Sequence, residues 1–354
     1  MPARKCFMAL NPLQVNQLVV DEESAGQRID NFLFRHLKGV PKSHVYRIIR
    51  SGEVRLNKGR VSAEDRVSEG DLIRIPPLRM AAVPTEDVHD AAAPPREFPV
   101  LLEDEHLLVL NKPAGVAVHG GSGLSWGVIE QLRRARPHAP LLELVHRLDR
   151  ETSGILLVAK KRSALRKLQD QFRERETQKT YLALVEGHWP VERKLIDLPL
   201  QKYLLKDGER RVKVVAPDHP DAMRSISLVR VMSHGSWISE QAPTAKPIPV
   251  SLLAVTIKTG RTHQIRVHLA SSGHPIAGDD KYGDFEWNRE LARSSLKRMF
   301  LHAWKLGFIH PQTGTQLNLE AKLPSELERM MKLSNFPDMP DYNPASSLKP
   351  TPSN

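Results

Sequence analysis

Apolar residues recur at helical spacing in the first part of the chain, between residues 27 and 77. Two apolar stripes predict two helices, the first ended by Pro41 and the second capped by Ser43 and ended by Gly52. The stripe residues are Ile29, Leu33 and Leu37, followed by Val45, Ile48 and Ile49. The stretches EVRLN and DLIRI then alternate as short strands do. The pattern predicts a small α+β module over 27–77.

Residues 100–334 have the pattern of a larger domain that is rich in strands. The predicted strands are HLLVLN, GILLVA, TYLALV, RVKVV, SISLVRVM and SLLAVTI. Helical stretches are predicted at Ser163–Glu176, Arg261–Ser272 and Pro324–Leu333. Because the strands dominate and do not alternate regularly with helices, we predict an α+β fold with a mixed, mostly antiparallel β-sheet.

Three further segments lack a pattern that would build a packed core. Residues 1–26 carry no strong periodicity and are expected to be an N-terminal extension. Residues 78–99 are rich in proline and alanine and contain several acidic residues, which is typical of a linker. Residues 335–354 contain five prolines and are expected to be a disordered tail.

The charge of the chain indicates a polyanionic partner. Its 354 residues include 52 Lys and Arg against 41 Asp and Glu, so the formal net charge is +11. The single cysteine, Cys6, excludes an intrachain disulfide and cysteine zinc clusters. No apolar run of about 18 residues occurs, and the N-terminus is a poor signal peptide, so we expect a cytoplasmic protein without a membrane partner.

Much of the excess charge lies in the first module. Between residues 28 and 60 nine basic residues face two acidic ones. Six of these basic residues are the candidate RNA contacts of the module: Arg28, Lys42, Arg47, Arg50, Arg55 and Lys58. A solvated face is the simpler interpretation. We favour a surface that contacts phosphates, because the charges lie on predicted helices and a turn whose other sides are apolar.

The most unusual polar segment is HRLDRETSG at 146–154, which lies between two apolar runs. Asp149 stands between Arg147 and Arg150 in this segment. The residues alone leave two interpretations open: an exposed turn with salt bridges, or a carboxylate held by arginine as a nucleophile or base. The phosphate-loop pattern GxxxxGK[ST] and HExxH are absent, and the 15 histidines are scattered, so no preformed metal site is expected.

The segment HRLDRETSG closely resembles the signature of the RluA-type pseudouridine synthases. Other segments resemble that family in the family's order: NKPAG at 111–115, KTYLALVEG at 179–187, GRTHQIRVHL at 260–269, IAGDDKYG at 276–283 and FLHAWKLGFIHP at 300–311. Residues 28–76 resemble the S-four-like RNA-binding domain through the helix pair and the GEVRLN turn. The combination is similar to the RluC/RluD branch, and closest to its RluC-like members.

This resemblance implies an isomerase without metal or cofactor that converts specific uridines of 23S large-subunit ribosomal RNA. It implies that Asp149 is the catalytic aspartate, which attacks the anomeric carbon or removes a sugar proton to give a glycal. It also implies that Tyr181 stacks near the target base, where its hydroxyl assists proton removal from C5, and that Arg266 pairs with the aspartate. Arg261 is the competing candidate for that pair.

The resemblance also suggests RNA contacts around the catalytic loop. Arg147 is expected to contact the flipped nucleotide or to fill the stack that it leaves, and a salt bridge to Glu151 is the alternative. Lys112 is a candidate backbone contact, while Arg261 and His263 are candidates for holding phosphates. A monomer is the default. The competing function is a non-catalytic RNA-binding factor in ribosome assembly, which the intact set of Asp149, Tyr181 and Arg266 disfavours.

Overall fold

The structure is a computed structural model that describes residues 14–21, 24–37, 40–78, 93–120, 126–205, 208–239, 241, 244, 246–294 and 296–337. The side chain of Lys42 also lies outside the described part. The chain divides into two compact units, Met1–Ala92 and Ala93–Asn354. Each unit has its own hydrophobic clusters.

The first unit packs a helix pair against a small antiparallel sheet. Its elements are β1 (Asn16–Val19), α1 (Ile29–His36), α2 (Lys42–Arg50), β2 (Arg55–Leu56) and β3 (Leu72–Ile75). The sheet has the order β1-β3-β2. The two predicted stripes form its core, in which Ile29, Leu33 and Val45 are fully buried. The prediction of an α+β module is therefore confirmed.

Two local expectations for this unit are wrong. Residues 1–26 are not only an extension, because β1 pairs with β3 and Val20 is buried in the core. Ser43 does not cap α2, since that helix begins at Lys42 and its N-cap position is Pro41, which offers no side-chain acceptor. The fixed backbone of Pro41 starts the helix instead.

The second unit contains the remaining elements: a ten-stranded sheet with helices on its faces, and a separate two-stranded hairpin. Its strands are β4 (Val100–Glu103), β5 (Leu107–Lys112), β6 (Glu143–Leu144), β7 (Ser153–Ala159), β8 (Gln178–Glu186), β9 (Leu195–Asp197), β10 (Leu200–Leu204), β11 (Arg210–Val214), β12 (Ile226–Trp237), β13 (Ile248–Ile257), β14 (Leu301–Ile309) and β15 (Gln316–Glu320). Its helices are α3 (Val128–Ala135), α4 (Arg162–Glu174), α5 (Gln264–Ser271), α6 (Phe285–Arg293) and α7 (Ser325–Leu333).

The order of the main sheet brings distant segments together. Within the described residues it runs β4-β5-β7-β14-β8-β13-β12-β9, with β15 on β14 and β6 on β7, while β10 and β11 form a separate hairpin. The β7–β14 pair is parallel and the other described pairs are antiparallel. This matches the predicted mixed, mostly antiparallel sheet. β14 thus lies between the strand that follows Asp149 and the strand that carries Tyr181.

β7 is buried on both faces because helices cover each side of the sheet. Its alternate residues Leu156 and Val158 pack with α3, while Leu157 packs with α4. The same alternation along β8 divides Leu184 from Val185, which pack into different clusters. An all-apolar strand of this kind is what a sheet covered on both faces requires.

Gly154 allows the parallel contact between β7 and β14. Its φ is +112°, which side chains of L-residues rarely adopt, and an added Cβ would lie 2.2 Å from the carbonyl oxygen of Ala303. The final glycine of HRLDRETSG is therefore a requirement of strand pairing. It fixes where the polar loop stops and the buried strand begins.

Two predicted boundaries differ from the structure. The helix predicted at Arg261–Ser272 begins only at Gln264, because His263 takes a left-handed conformation at its N-cap. The linker expected at 78–99 is shorter, since Leu78 is buried in the first unit and Phe98 in the second, while 79–92 lies outside the described residues. Residues 338–354 of the expected tail also lie outside the described part.

Candidate active site

Asp149 lies in the loop between β6 and β7, where the chain enters the centre of the sheet. Its side chain is 22% exposed at the wall of an open cleft of about 100 Å³. The residues that line the cleft come from this loop, from β8, from the end of β13, from the segment leading into α5, from the first turn of α5 and from the start of β14. The sequence-predicted residues Arg147, Asp149, Tyr181, Arg261, His263 and Arg266 all line this cleft.

The buried ammonium of Lys112 joins the Asp149 loop to the turn that follows β5. Lys112 is fully buried and its Nζ donates to the carbonyl oxygens of Pro113, Val116 and Arg150 at 2.8–3.0 Å. Burial lowers the pKa of Lys112 to about 7. The expected RNA contact of Lys112 is therefore wrong, because its ammonium is enclosed by main-chain oxygens. Its position next to Arg150 assigns it a role in holding the loop.

The other end of the loop is held by a chain of buried hydrogen bonds. The Ser153 hydroxyl receives a hydrogen bond from Arg298 Nη2 and lies 2.8 Å from His302 Nδ1. His302 Nε2 lies 3.1 Å from the carbonyl oxygen of Ala321. Burial lowers the pKa of His302 to about 4, so the ring is neutral and Nε2 donates to that carbonyl. Ser153 therefore donates to His302, and both ends of the Asp149 loop are fixed.

Arg266 links Asp149 to a buried carboxylate. It lies on α5 with its side chain 3% exposed, and it donates to Asp279 through Nε and Nη2 at 2.7 and 2.5 Å. Its Nη1 lies 3.8 Å from Asp149 Oδ2, within ion-pair range but beyond hydrogen-bonding distance. Burial opposes the charge, yet the hydrogen bond to Asp279 raises the pKa of Arg266 above its ordinary value. The structure thus brings Arg266, and not Arg261, to the aspartate.

Asp279 and Asp280 were not identified as site residues from the sequence. Asp279 is fully buried; although burial alone would raise its pKa, the hydrogen bond from Arg266 lowers that pKa. Asp280 lies 3.1 Å from Arg266 Nη2 and is 63% exposed. The signal was present in IAGDDKYG, where two adjacent carboxylates stand between glycines in a basic chain. A pair of buried opposite charges of this kind fixes a guanidinium in a defined orientation.

His263 also approaches Asp149, with its Nε2 3.9 Å from Asp149 Oδ2. Its Nδ1 is 2.8 Å from the hydroxyl of Tyr282, which accepts a hydrogen bond from the backbone of Val212. The arrangement that satisfies all three groups has Tyr282 donating to Nδ1 and the ring proton on Nε2. Burial lowers the pKa of His263, so the ring is neutral near pH 7. Tyr282 is a second functional candidate that the sequence pattern did not indicate.

Tyr181 projects from β8, where it is paired with Val255 of β13 and Ala303 of β14. Burial, with a further contribution from the charge of Asp149, raises the pKa of the Tyr181 hydroxyl. The phenol therefore stays protonated throughout the neutral range. A protonated ring in the wall of the cleft is able to stack and to donate a hydrogen bond.

The two exposed arginines of the site stand at its rim. Arg147 is exposed and lines the cleft next to Asp149. The alternative salt bridge to Glu151 is formed by Arg150 instead, at 2.7 Å. Arg261 is exposed and donates to the carbonyl oxygen of Arg224 at 3.3 Å. Both positions are compatible with contacts to a bound polyanion.

The basic residues of the first unit differ in how exposed their side chains are and in whether they form salt bridges. Arg28 forms a salt bridge with Asp30 at 2.8 Å and is partly buried. Arg47, Arg50 and Lys58 are exposed, and Lys58 lies in a tight turn with positive φ. Arg55 is half-buried on β2, and the side chain of Lys42 is outside the described residues.

Neither a metal nor a membrane feature emerges from the described residues. In that part of the chain, no three His, Cys, Asp or Glu side chains converge to hold a metal ion. No described helix combines the length and the apolar character that a membrane span needs.

Family comparisons agree with both units. The profile described as RNA pseudouridylate synthase matches residues 106–271, and that of the S4 domain matches residues 27–73. Two solved structures are similar: Human RNA Pseudouridylate Synthase Domain Containing 4, with a TM-score of 0.53 and 26% identity, and Domain Containing 1, with a TM-score of 0.52 and 27% identity. Each covers 68% of this chain, and 94% and 97% of those chains respectively are covered. The resemblance inferred from the sequence is confirmed.

Curated proteins match over nearly the whole length. Ribosomal large subunit pseudouridine synthase C of Yersinia pestis is 50% identical over 325 residues, which are 91% of this chain and 96% of that protein. The protein of the same name from Escherichia coli K12 is 50% identical over 326 residues, 91% of this chain and 97% of that protein. That of Haemophilus influenzae is 48% identical over 90% of this chain and 94% of its own length. The chain therefore belongs to the RNA pseudouridylate synthase family.

Proposed function

We propose that the chain converts specific uridines of 23S large-subunit ribosomal RNA into pseudouridine. The observation that carries this proposal is the partly exposed Asp149 carboxylate in a cleft shared with Arg266 and Tyr181. The choice of RNA is supported by the names of the relatives, which refer to the large ribosomal subunit. The basic S4 domain supports binding to a structured RNA.

The proposed reaction rearranges bonds within one nucleotide. The bond from uracil N1 to ribose C1′ breaks, the base rotates, C5 bonds to C1′, C5 loses a proton and N1 gains one. Asp149 acts on the ribose, either by attack on C1′ or by removal of a sugar proton. Arg266 stabilises its negative charge from 3.8 Å without a hydrogen bond, which leaves the nearby carboxylate oxygen available.

We assign Tyr181 to the target base. An aromatic ring in the cleft wall stacks on an extruded base, a contact worth about 1–3 kcal/mol. Because the pKa of its hydroxyl is raised, Tyr181 does not supply a phenolate base at neutral pH. This limits the expected role in removing the C5 proton to hydrogen bonding or relay. Arg147, exposed at the rim, contacts the extruded nucleotide or occupies the space that it leaves.

The first unit supplies binding to RNA and not chemistry in this proposal. The RNA-binding domain is built around residues 27–77, with β1 added to its sheet and Leu78 to its core. Its phosphate contacts are Arg28, Lys42, Arg47, Arg50, Arg55 and Lys58, and the catalytic domain is built around residues 100–334. Arg261 and His263 border the cleft as further contacts. The protein acts in the cytoplasm as a monomer.

Pseudouridine mapping tests this function directly. Cells that lack the gene would be complemented with the wild type, with Asp149→Asn, or with Asp218→Asn as a control at an exposed loop position. We expect a set of pseudouridines in large-subunit RNA to disappear in the deletion strain and to return with the wild type and the control alone. An identical map in all strains would show that the substrate is another RNA or that the protein acts by binding.

A further inference from the structure

A second cavity, of about 440 Å³, opens next to the catalytic cleft. It shares Arg147, Tyr181, Ile257, Gly260 and Arg261 with the cleft, so the two spaces are continuous. We call this cavity the cationic groove, after the six basic residues that line it: Arg147, Arg173, Arg175, Lys179, Lys258 and Arg261. No carboxylate lines it among the described residues.

The cations of the groove are poorly neutralised by the protein itself. Within the described part of the chain, no carboxylate pairs with Arg175, Lys179 or Lys258, whereas Arg173 pairs with Asp170 and Glu174. Burial and the nearby charge of Arg175 lower the pKa of Lys179. Like charges held close together without a counter-charge favour binding of an anion.

The aromatic ring of Phe172 in the groove is already in contact with other side chains. The ring of Phe172 is stacked on His146, with centroids 4.7 Å apart, and Lys179 Nζ lies 5.1 Å from the Phe172 centroid. The Leu157 backbone N–H donates to His146 Nε2, and burial keeps that ring neutral by lowering its pKa to about 4. Since His146 and Lys179 already contact the ring of Phe172, that ring is not a free stacking platform, and the groove beyond the shared Tyr181 offers mainly charge.

We propose that the cationic groove binds the sugar-phosphate backbone of the RNA strand that flanks the target nucleotide, and that Arg175 and Lys258 are phosphate contacts. This inference rests on the proposed function, because a nucleotide extruded into the cleft requires its neighbours to leave through an adjoining channel. A groove that binds phosphates contributes the same affinity for every RNA sequence, because the phosphates are the same in all of them. It does not select the uridine.

The test uses the full-length protein and 23S ribosomal RNA transcribed in vitro. Arg175→Asn combined with Lys258→Gln removes two charges; asparagine tolerates the positive φ of residue 175. The matched control combines Lys194→Gln with Lys322→Gln, two exposed lysines outside the groove. Arg175→Lys with Lys258→Arg preserves both charges. Binding is measured across salt concentrations, and pseudouridine formation is followed under single-turnover conditions.

For the neutral variant we expect Kd to rise about tenfold at low salt. The slope of log K against log salt should fall by about 1.4, since each single-strand phosphate contact contributes about 0.7. The saturated rate and the modified positions should stay those of the wild type. The control and the charge-preserving variant should have the Kd and the salt slope of the wild type.

If the neutral variant and the control had the same Kd and the same slope of log K against log salt, the proposal that the groove binds phosphates would be wrong. So would a changed set of modified uridines with unchanged affinity, because it would show readout of bases. Failure of the proposed function has a different result: the wild type itself would form no pseudouridine in this RNA. That outcome would also remove the strand for which the groove is proposed.

Discussion

Arg266 Nη1 lies 3.8 Å from Asp149 Oδ2 without forming a hydrogen bond, because Nε and Nη2 of the same guanidinium donate to Asp279. The geometry separates two tasks: Asp279 fixes the orientation of Arg266, and Arg266 provides charge to Asp149. A carboxylate stabilised by charge but not capped by a donor keeps its oxygens free to react. Substitution of Arg266 should therefore lower the rate, whereas substitution of Asp279 should lower stability as well.

Replacing Arg266 by lysine should reduce catalysis although the positive charge remains. Lysine lacks the planar fork that binds Asp279 and reaches Asp149 together. We expect Arg266→Lys to lower the saturated rate by about 100-fold, comparable to loss of one preorganised electrostatic contact. Arg261→Lys is the control, because Arg261 is exposed and keeps its charge; it should stay near the wild-type rate. Single-turnover formation of pseudouridine measures both, and equal losses would contradict the assignment.

Asp279→Asn should affect folding as well as rate. It leaves the buried Arg266 without its main counter-charge, and breaking a buried pair costs about 3–5 kcal/mol of unfolding free energy. The adjacent Asp280→Asn changes an exposed partner and should cost less than about 1 kcal/mol. Urea unfolding of the two variants separates them. If both variants unfold at the same urea concentration, Asp279 is not the anchor of Arg266.

Much of this site was predictable from the sequence. The burial of side chains and their partners in three dimensions were not. Asp149, Tyr181 and Arg266 were identified by resemblance because they lie in ordered motifs. Lys112 was misjudged because a lysine before proline gives no sign of burial, which depends on the turn folding over its ammonium. The carboxylate of Asp279 needed a three-dimensional partner before its role was visible.

The strands show a similar division. The strands with apolar runs are predicted by the sequence, including β7 and β8, whereas the segment of β14 resembles the family without a pattern that predicts a strand. Periodicity gives an element but not its neighbour, so the placement of β14 between β7 and β8 was beyond the pattern. The start of α5 was misplaced because a non-glycine residue with positive φ, His263, has no sequence signal of its own.

The buried Lys112 should make stability depend on pH. Its pKa is about 7 in the folded chain and about 10.4 when unfolded, so the unfolded state binds more protons between those values. The contribution of Lys112 to stability therefore rises with pH from about 7 to about 10 and is constant below 7. Lys112→Met should remove this rise.

The measurement is urea unfolding of the wild type and Lys112→Met at several pH values. The variant leaves buried carbonyl oxygens without a donor and should be destabilised by about 2–4 kcal/mol at pH 7. The difference from the wild type should widen by about 1 kcal/mol per pH unit above 7. A constant difference from pH 7 to pH 9 would show that the ammonium is not desolvated.

Gly154→Ala should prevent normal folding of the second unit. The added Cβ would meet the Ala303 carbonyl oxygen at 2.2 Å in a backbone conformation that alanine avoids. We expect a loss above about 4 kcal/mol or insoluble protein. Gly115→Ala is a matched control, because Gly115 also has positive φ but no atom lies within 4 Å of an added Cβ. It should cost only about 1 kcal/mol in thermal unfolding.

Tyr181→Phe tests whether the ring or the hydroxyl matters more. Because the hydroxyl stays protonated, Tyr181→Phe should keep the rate within about tenfold of the wild type, whereas Tyr181→Leu loses stacking and should fall a further 5- to 150-fold. Since burial raises the pKa of Tyr181, no alkaline limb from this residue should occur below pH 10. A pH–rate profile with such a limb, absent in Tyr181→Phe, would show a phenolate base.

The position of β14 has a consequence for the growing chain. Asp149 and Tyr181 both precede residue 182, yet the strand that spaces them apart, Leu301–Ile309, is synthesised more than a hundred residues later. A nascent chain that has completed the aspartate loop and β8 therefore lacks the wall that sets their separation. A chain that has been synthesised only as far as residue 300 therefore carries the HRLDRETSG motif without the strand that completes the cleft.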